Sequence, residues 1–274
     1  MILRNLCDPL LAVRIIIRYR SLLKQQIVRN LAARYRGSAL GAVWSLVYPL
    51  MMLSVYTFVF SVVFKTRWGL NPDGGSGSFA VIMFCGMAVY NIFSESINTC
   101  SSLIPANSNL VKKVIFPLEL LPLASVVSTV VLGLVWFVLL LLGVLLIQHQ
   151  LFWTMLLLPA TLVPLTLFTL GISYFVASLG VYLRDLPYLV GVVTQILFFM
   201  TPIFYPLEIV PEKFRPLLQL NPLTALVEQT RNLFLFRQAP DWLFCIQALL
   251  ISFVFFQMGL VWFLKTKKGF ADVL

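Results

Sequence analysis

The chain has 274 residues, of which 60% are hydrophobic and only 11% are charged. A soluble domain of this length needs more polar surface than these residues supply, so a water-soluble protein is excluded. The sequence is typical of an integral membrane protein. Its net charge of +10 bears on topology and anionic lipid rather than nucleic acid, because basic residues are sparse outside the N-terminus.

The N-terminal segment, residues 1–37, is basic and is predicted to lie on the cytoplasmic side of the membrane. Eight basic residues and one acid fall within the first 36 positions, without the apolar core or cleavage site of a signal peptide. Residues 12–36 carry too much charge to span a bilayer, and their helical periodicity separates charged from apolar side chains. We therefore expect an amphipathic interfacial helix, with Arg20 and Arg34 on its apolar side snorkelling to water. A lipid-surface anchor without a further role is the alternative.

This basic segment runs without a linker into an apolar stretch that begins near residue 40. Gly37 and Gly41 are spaced so that another helix could approach closely at this point. An ordinary positively charged anchor with loose packing would show the same residues. Both interpretations stay open.

Six apolar runs of about 20 residues or more are predicted to be membrane-spanning helices. They lack the alternating pattern of a transmembrane barrel, so the predicted fold class is an all-α integral membrane protein. The predicted spans are residues 40–64, 79–103, 118–147, 151–183, 187–205 and 242–264. One transmembrane domain is expected over 1–274, divided into the amphipathic segment 1–37, spans one to five at 38–206, an external segment at 207–241, and span six with a cytoplasmic tail at 242–274.

The distribution of basic residues predicts the orientation of these spans. With the N-terminus inside, fourteen Lys and Arg residues lie on the cytoplasmic side and six on the other. Positively charged loops are retained in the cytoplasm, so both termini are expected there.

Prolines dominate the external connection between Thr201 and Pro240. Each proline lacks a backbone donor and restricts the residue before it, so the chain must turn repeatedly. Asn221 and Pro222 suit the start of a helix, in which Glu228 and Arg231 share a face. We expect a re-entrant helical hairpin, with a plain loop on the headgroups as the alternative.

The cytoplasmic connection at 105–116 is polar and carries Asn109, Lys112 and Lys113. The following Phe116-Pro117 favours a short helix that turns into span three. Such a helix can dock on a soluble partner, whereas lysines that only fix topology are the alternative.

Catalytic chemistry is not indicated. The acids are scattered, no phosphate-binding loop is present, and neither catalytic residues, a metal site nor a cofactor is expected, so any ATP must be hydrolysed by another protein. The four cysteines lie far apart and are interpreted as small apolar residues. Glu95 is the clear intramembrane carboxylate, for which hydrogen bonding within the bundle and contact with a substrate both remain open.

These residues, taken in order along nearly the whole chain, resemble the membrane subunit of ABC-2 type polysaccharide exporters, which move lipid-linked O-antigen of lipopolysaccharide, capsule or teichoic acid chains. The resemblance rests on Arg34-Tyr35-Arg36-Gly37-Ser38 with Leu40-Gly41 and Trp44, Phe116-Pro117 with Pro122, Tyr182 with Arg184-Asp185, Pro202-Ile203 with Tyr205, Asn221-Pro222, and Phe270-Ala271-Asp272-Val273-Leu274.

This resemblance implies a homodimeric permease in the cytoplasmic (inner) membrane, working with two separate ATP-binding subunits that hold Mg-ATP. It also implies a coupling helix between spans two and three and gate helices before span six. Contact with the ATP-binding subunits is expected at Arg29, Arg34, Arg36, Asn109, Lys112 and Lys113. Packing at the dimer or gate is expected at Gly37, Gly41 and Trp44, and the external gate at Asn221, Pro222, Glu228 and Arg231.

A mechanism follows as a hypothesis. Movement of the ATP-binding subunits pushes on residues 105–116 and the interfacial helix, and parts the two copies of spans one and five to open a polymer-sized path. Aromatic faces suit sugar C–H groups. The candidate channel residues are Tyr48, Tyr56, Phe58, Phe198, Phe199, Phe204 and Tyr205.

Three alternatives remain. An ABC-2 exporter of a small lipid or drug would share the scaffold. A proton-coupled secondary transporter would depend on Glu95. A polyprenol-dependent transferase would need acidic or histidine groups converging on one external site, and the sequence does not indicate such a site.

Overall fold

A computed structural model describes residues 11–63, 76–112, 116–149 and 151–274, and all regular structure in these ranges is helical. This confirms the predicted all-α fold class. The α-helices are α1 (Leu11–Arg18), α2 (Arg20–Arg34), α3 (Trp44–Thr57), α4 (Ser76–Ser101), α5 (Leu103–Ala106), α6 (Ser108–Lys112), α7 (Leu120–Gln148), α8 (Pro159–Tyr182), α9 (Leu186–Met200), α10 (Arg215–Gln219), α11 (Pro222–Phe234), α12 (Trp242–Thr266) and α13 (Phe270–Val273). Shorter turns of 3-10 helix form at Gly41–Val43, Trp153–Leu157, Leu207–Ile209 and Lys267–Gly269, and a π-helical turn forms at Phe58–Val63.

The predicted interfacial helix is present as two consecutive helices, α1 and α2, which meet at Tyr19. Ile15, Tyr19 and Leu23 pack against a buried apolar cluster of the bundle, so the amphipathic segment is docked on protein, and its position at the membrane interface stays a prediction. Arg34 is paired, and snorkelling of its exposed side chain stays a prediction. Its guanidinium forms an ion pair with Glu95 of α4, while α2 itself packs against α7.

Within the part of the chain that the structure describes, no second helix closely approaches Gly37 or Gly41. Both adopt left-handed backbone angles (φ 83° and 51°), and a Cβ at either would meet no atom within 4 Å. Glycine is favoured there because other residues are strained at positive φ. Close backbone contact occurs instead between α8 and α12, where a Cβ on Gly259 would overlap the Gly171 carbonyl oxygen. Packing of Gly37 and Gly41 against a second copy stays a prediction.

Five helical segments in the described part of the chain are long and apolar enough to cross a bilayer. They are Gly41–Phe60, Phe79–Ser101, Leu120–Leu146, Trp153–Tyr182 and Trp242–Val273. They match five of the predicted spans.

The predicted span at 187–205 was too long. The corresponding helix α9 has 15 residues and ends at Met200. Its length is about 22 Å, less than the roughly 30 Å of a hydrocarbon core. The helix ends because Thr201 is extended (φ −94°, ψ 133°), as expected for a residue that precedes a proline. The total of six spans therefore stays a prediction.

Helix α4 occupies the centre of the bundle and contacts α7, α8, α9 and α11. It is buried along most of its length, whereas α3 has Pro49 as its single buried residue. The packing energy of the bundle is thus concentrated around α4, and α3 lies at its edge with most of its surface uncovered.

The external segment forms a hairpin of α10 and α11, as predicted. Asn221 caps α11, since its side-chain oxygen accepts a hydrogen bond from the Leu223 amide at 3.0 Å, and Pro222 occupies the first turn. Val227, Leu233 and Phe234 of α11 are buried in the main core. Helix α11 is therefore packed into the bundle and is not a loop on its surface, whereas a re-entrant position in the membrane stays a prediction.

Candidate functional site

A groove of polar and aromatic side chains runs along one side of α4. It comprises three adjoining cavities of about 440, 240 and 210 Å³. The first and second share Arg34 and Glu95, and the second and third share Tyr48, Asn91 and Trp136. These shared walls make one continuous depression between α2, α3, α4, α7 and α9, which we call the polar groove.

The end of the polar groove nearest the interfacial helices is charged. Arg34 Nη1 donates to Glu95 Oε1, and the two side chains are 38% and 30% exposed. A carboxylate within a membrane span requires a cation or water. The pair meets this requirement and fixes the end of α2 to α4, residues that lie 61 positions apart.

The middle of the polar groove carries neutral hydrogen-bonding groups. Asn98 Nδ2 donates to Thr194 Oγ1 at 3.2 Å, and the Tyr90 hydroxyl donates to the Thr194 carbonyl. These bonds connect α4 to α9. Ser94 and Gln195 also line this cavity, so the groove presents amide and hydroxyl groups of the kind that bind sugar hydroxyls.

An aromatic cluster forms the far end, towards the external segment. Phe204 contacts Tyr56, Phe60 and Phe198, with ring centroids 5.3, 4.7 and 5.0 Å apart. The Tyr205 hydroxyl donates to the Phe199 carbonyl at 2.7 Å.

The candidate channel residues divide by exposure. Phe198 and Phe204 are buried inside the cluster and offer little surface to a substrate. Tyr48, Phe58 and Phe199 are exposed. Lining of a path by any of these residues stays a prediction.

Exposed apolar side chains flank the polar groove on α3 and α9. Those on α9 include Tyr188 at 79% exposed, and those on α3 include Met51 and Val55. Trp44, a predicted packing residue, is 41% exposed at the start of α3. This side of the protein therefore combines an apolar surface with a polar strip.

Of the predicted external gate residues, Glu228 and Arg231 form the ion pair that their spacing predicted, and Arg231 is more buried than that spacing indicated. A gate role for these residues stays a prediction. Arg231 Nη1 pairs with Glu228 Oε1 at 2.6 Å, while Nη2 donates to the Ile203 carbonyl at 3.0 Å. Its Nε donates to the Ile82 carbonyl of α4 at 3.5 Å. Arg231 is 0% exposed, so it joins α11 to α4 and to the chain after α9.

The predicted coupling residues lie on a different surface. Asn109 and Lys112 of α6 are exposed, and so are Arg29 and Arg36 near the end of α2. Lys113 lies outside the described residues. The exposed residues are available to a soluble partner, whereas Arg34 is occupied by Glu95.

Sequence reasoning missed several residues of the polar groove, notably Trp136, Asn91 and Gln195. A signal was present in span two, where Asn91, Glu95 and Asn98 recur at helical spacing on one side of an otherwise apolar run. Trp136 of α7 carried no such signal. Its ring meets that of Tyr48 of α3, with centroids 6.3 Å apart, only because tertiary packing brings the two helices together.

Comparison with known proteins adds independent evidence. The chain is 34% identical to the O-antigen export system permease protein RfbA of Myxococcus xanthus over 234 residues, covering 84% of this chain and 86% of the relative. It is 26% identical to a protein of the same name from Klebsiella pneumoniae over 248 residues, covering 90% and 92%.

The family match covers most of the chain and includes α2, the polar groove and the external hairpin. Residues 21–235 match the ABC-2 type transporter family. The chain therefore belongs to the ABC-2 type transporter family and is a multi-pass membrane protein.

Proposed function

We propose that this chain is the permease subunit of an ATP-driven exporter that moves a lipid-linked polysaccharide across the cytoplasmic membrane. The observation that carries this proposal is the polar groove, which joins amide, hydroxyl and aromatic groups within a membrane bundle. Sugars combine hydroxyl groups with apolar C–H faces and match this lining. The printed names of the relatives, O-antigen export permeases, support the same substrate class.

A second copy of the chain would complete the path. Tyr48 and Gln195 are exposed on α3 and α9, between apolar neighbours. Polar groups facing lipid are unfavourable, whereas the same groups facing a hydrated path are satisfied. A homodimer that buries α3 and α9 against their copies would enclose two polar grooves around one channel.

The energy would come from separate ATP-binding subunits that hold Mg-ATP. The exposed Asn109 and Lys112 of α6, with Arg29 and Arg36 of α2, offer a polar surface for them. Because α2 is attached to α4 through the Arg34–Glu95 pair, a displacement of α2 by the ATP-binding subunits would move side chains that line the polar groove.

The secondary-transporter alternative is less favoured by this geometry. Glu95 would have to act as a proton carrier, but the Arg34 guanidinium already compensates its charge. The small-lipid exporter shares every element described so far, and the sugar-compatible lining of the polar groove favours the polysaccharide.

Purification from native membranes tests the proposal. The tagged chain should bring down an ATPase subunit, and deletion of the chain should leave lipid-linked polysaccharide inside the cell while its synthesis continues. Purification without any ATPase, or normal surface polysaccharide after deletion, would contradict it.

The proposed orientation makes a prediction about labelling. In a version without native cysteines, single cysteines at Glu212 and Gln238 should react with an impermeant thiol reagent added from outside, because both lie exposed in the external segment. A cysteine at Lys112 should react only after the membrane is opened. The reverse pattern would invert the topology, and reaction at one external position without the other would show that the segment crosses the bilayer.

A further inference from the structure

The C-terminal residues fold back onto the bundle instead of leaving it. After α12, the chain turns through Lys267–Gly269 and continues as α13. Phe270 of α13 is 0% exposed, and its ring contacts Phe263 and Tyr182 with centroids 5.4 and 6.1 Å apart. Burial of a whole phenylalanine side chain anchors this short segment, which would not be stable as an isolated helix.

Polar contacts hold the same segment to two other helices. Lys267 Nζ lies 2.8 Å from Glu119 Oε2 at the start of α7, where the glutamate side chain is only 9% exposed. The Tyr182 hydroxyl of α8 donates to the Thr266 carbonyl at 3.2 Å. A nearly buried carboxylate needs a partner, so Lys267 has a defined position rather than a free one.

The segment also contacts the residues between α4 and α7. Helix α13 packs against α6. Phe270 belongs to the same buried cluster as Ile104 of α5, and Leu110 and Val111 of α6 pack against that cluster. Asn109 and Lys112 stay exposed on α6. The apolar side of α6 therefore lies towards the tail and the bundle, and its polar side faces outward.

The helices that carry the tail form the tightest pair of the bundle. Backbone atoms of α8 and α12 touch at Gly171 and Gly259, where added Cβ atoms would overlap the facing helix. Such contact leaves little room for sliding. The tail thus connects α6, a helix of only five residues, to the closely packed pair of α8 and α12.

We infer that residues 267–274 position the coupling segment, residues 103–112, so that a push from an ATP-binding subunit reaches the bundle instead of displacing α6 alone. Phe270 and Lys267 are the positioning residues. The part of this inference that concerns force from an ATP-binding subunit rests on the proposed function. The part that concerns the tail holding α6 in place, which we call the brace, rests on the tail contacts alone.

The first test measures how strongly the tail stabilises residues 103–112, and it does not depend on transport. Hydrogen–deuterium exchange is followed on the full chain in lipid nanodiscs, comparing Phe270→Ala with Val273→Ala, a control on the same helix whose side chain is 51% exposed. Exchange of the amides of residues 103–112 should accelerate about tenfold in Phe270→Ala and not in the control, because loss of the anchor lowers local stability. Equal exchange in both variants overturns the inference.

The second test uses the complex with its ATPase subunit. Phe270→Ala should lower polysaccharide exported per ATP hydrolysed about tenfold, within the range seen for mutations that alter coupling, while Phe270→Leu restores most of it. Lys267→Gln provides an independent and milder loss. A proportional fall in export and ATP hydrolysis together would show a structural role only and overturn the inference. Absence of export by the unmodified complex would instead overturn the proposed function, and the exchange result would still decide the brace.

Discussion

Arg231→Met should lower the free energy of unfolding by about 2–4 kcal/mol, because removing the buried guanidinium leaves two buried carbonyl groups without their donor. The carbonyl oxygens of Ile82 and Ile203 would lose their donor. Glu228, whose side chain is 33% exposed, would turn to water. We expect α11 to detach from α4 and export to fail, as measured by thermal unfolding in detergent and by surface polysaccharide.

Arg215→Met is the matched control. Arg215 also lies in the external segment and donates to two backbone carbonyls, those of Val210 and Glu208 at 2.8 and 2.6 Å. It is only partly buried, so its loss should cost no more than about 1 kcal/mol. Equal destabilisation by the two substitutions would show that burial of Arg231 has no special role.

The Arg34–Glu95 pair should show an asymmetric response to mutation. Arg34→Ala leaves a carboxylate unpaired within α4, whereas Glu95→Ala leaves an arginine whose long side chain can reach water. Both side chains are about one-third exposed, so we expect a stability change under about 1 kcal/mol. Export, in contrast, should fall about tenfold in Arg34→Ala and less in Glu95→Ala.

Exchange of the two charges separates pairing from simple damage. Arg34→Glu combined with Glu95→Arg should recover much of the export that either single change removes, since an ion pair can form again. Arg20→Ala, at an exposed arginine on the same helix α2, should leave export unchanged. If the double variant is no better than the singles, direct pairing is not what connects α2 to the polar groove.

Local features of this fold could be predicted from sequence, and long-range ones could not. The Asn221 cap and the Glu228–Arg231 pair involve residues two to three positions apart, where helix geometry alone decides the contact. The Arg34–Glu95 pair spans 61 positions. Its partners become neighbours only when α2 docks on the bundle, so the sequence alone did not predict this pair.

The outcomes at the two glycines and at the proline of span five have separate physical origins. The spacing of Gly37 and Gly41 is shared by helix-packing motifs and by turns that need positive φ, and periodicity does not distinguish them. At span five, an apolar run continued through Phe204, but Pro202 ended the helix at Met200. The apolar composition therefore predicted a longer span than the backbone allows, because the residue before a proline disfavours helical geometry.

The most direct test of the central claim is whether exported glycan passes through the polar groove. A photo-crosslinking amino acid is placed at Gln195, which lines the groove, and for comparison at Leu250 of α12, which is 60% exposed on the bundle surface and is not among the groove residues. Illumination during active export should attach polysaccharide to the chain at Gln195 and not at Leu250. Attachment at Leu250 with none at Gln195 would contradict the path described for this transporter.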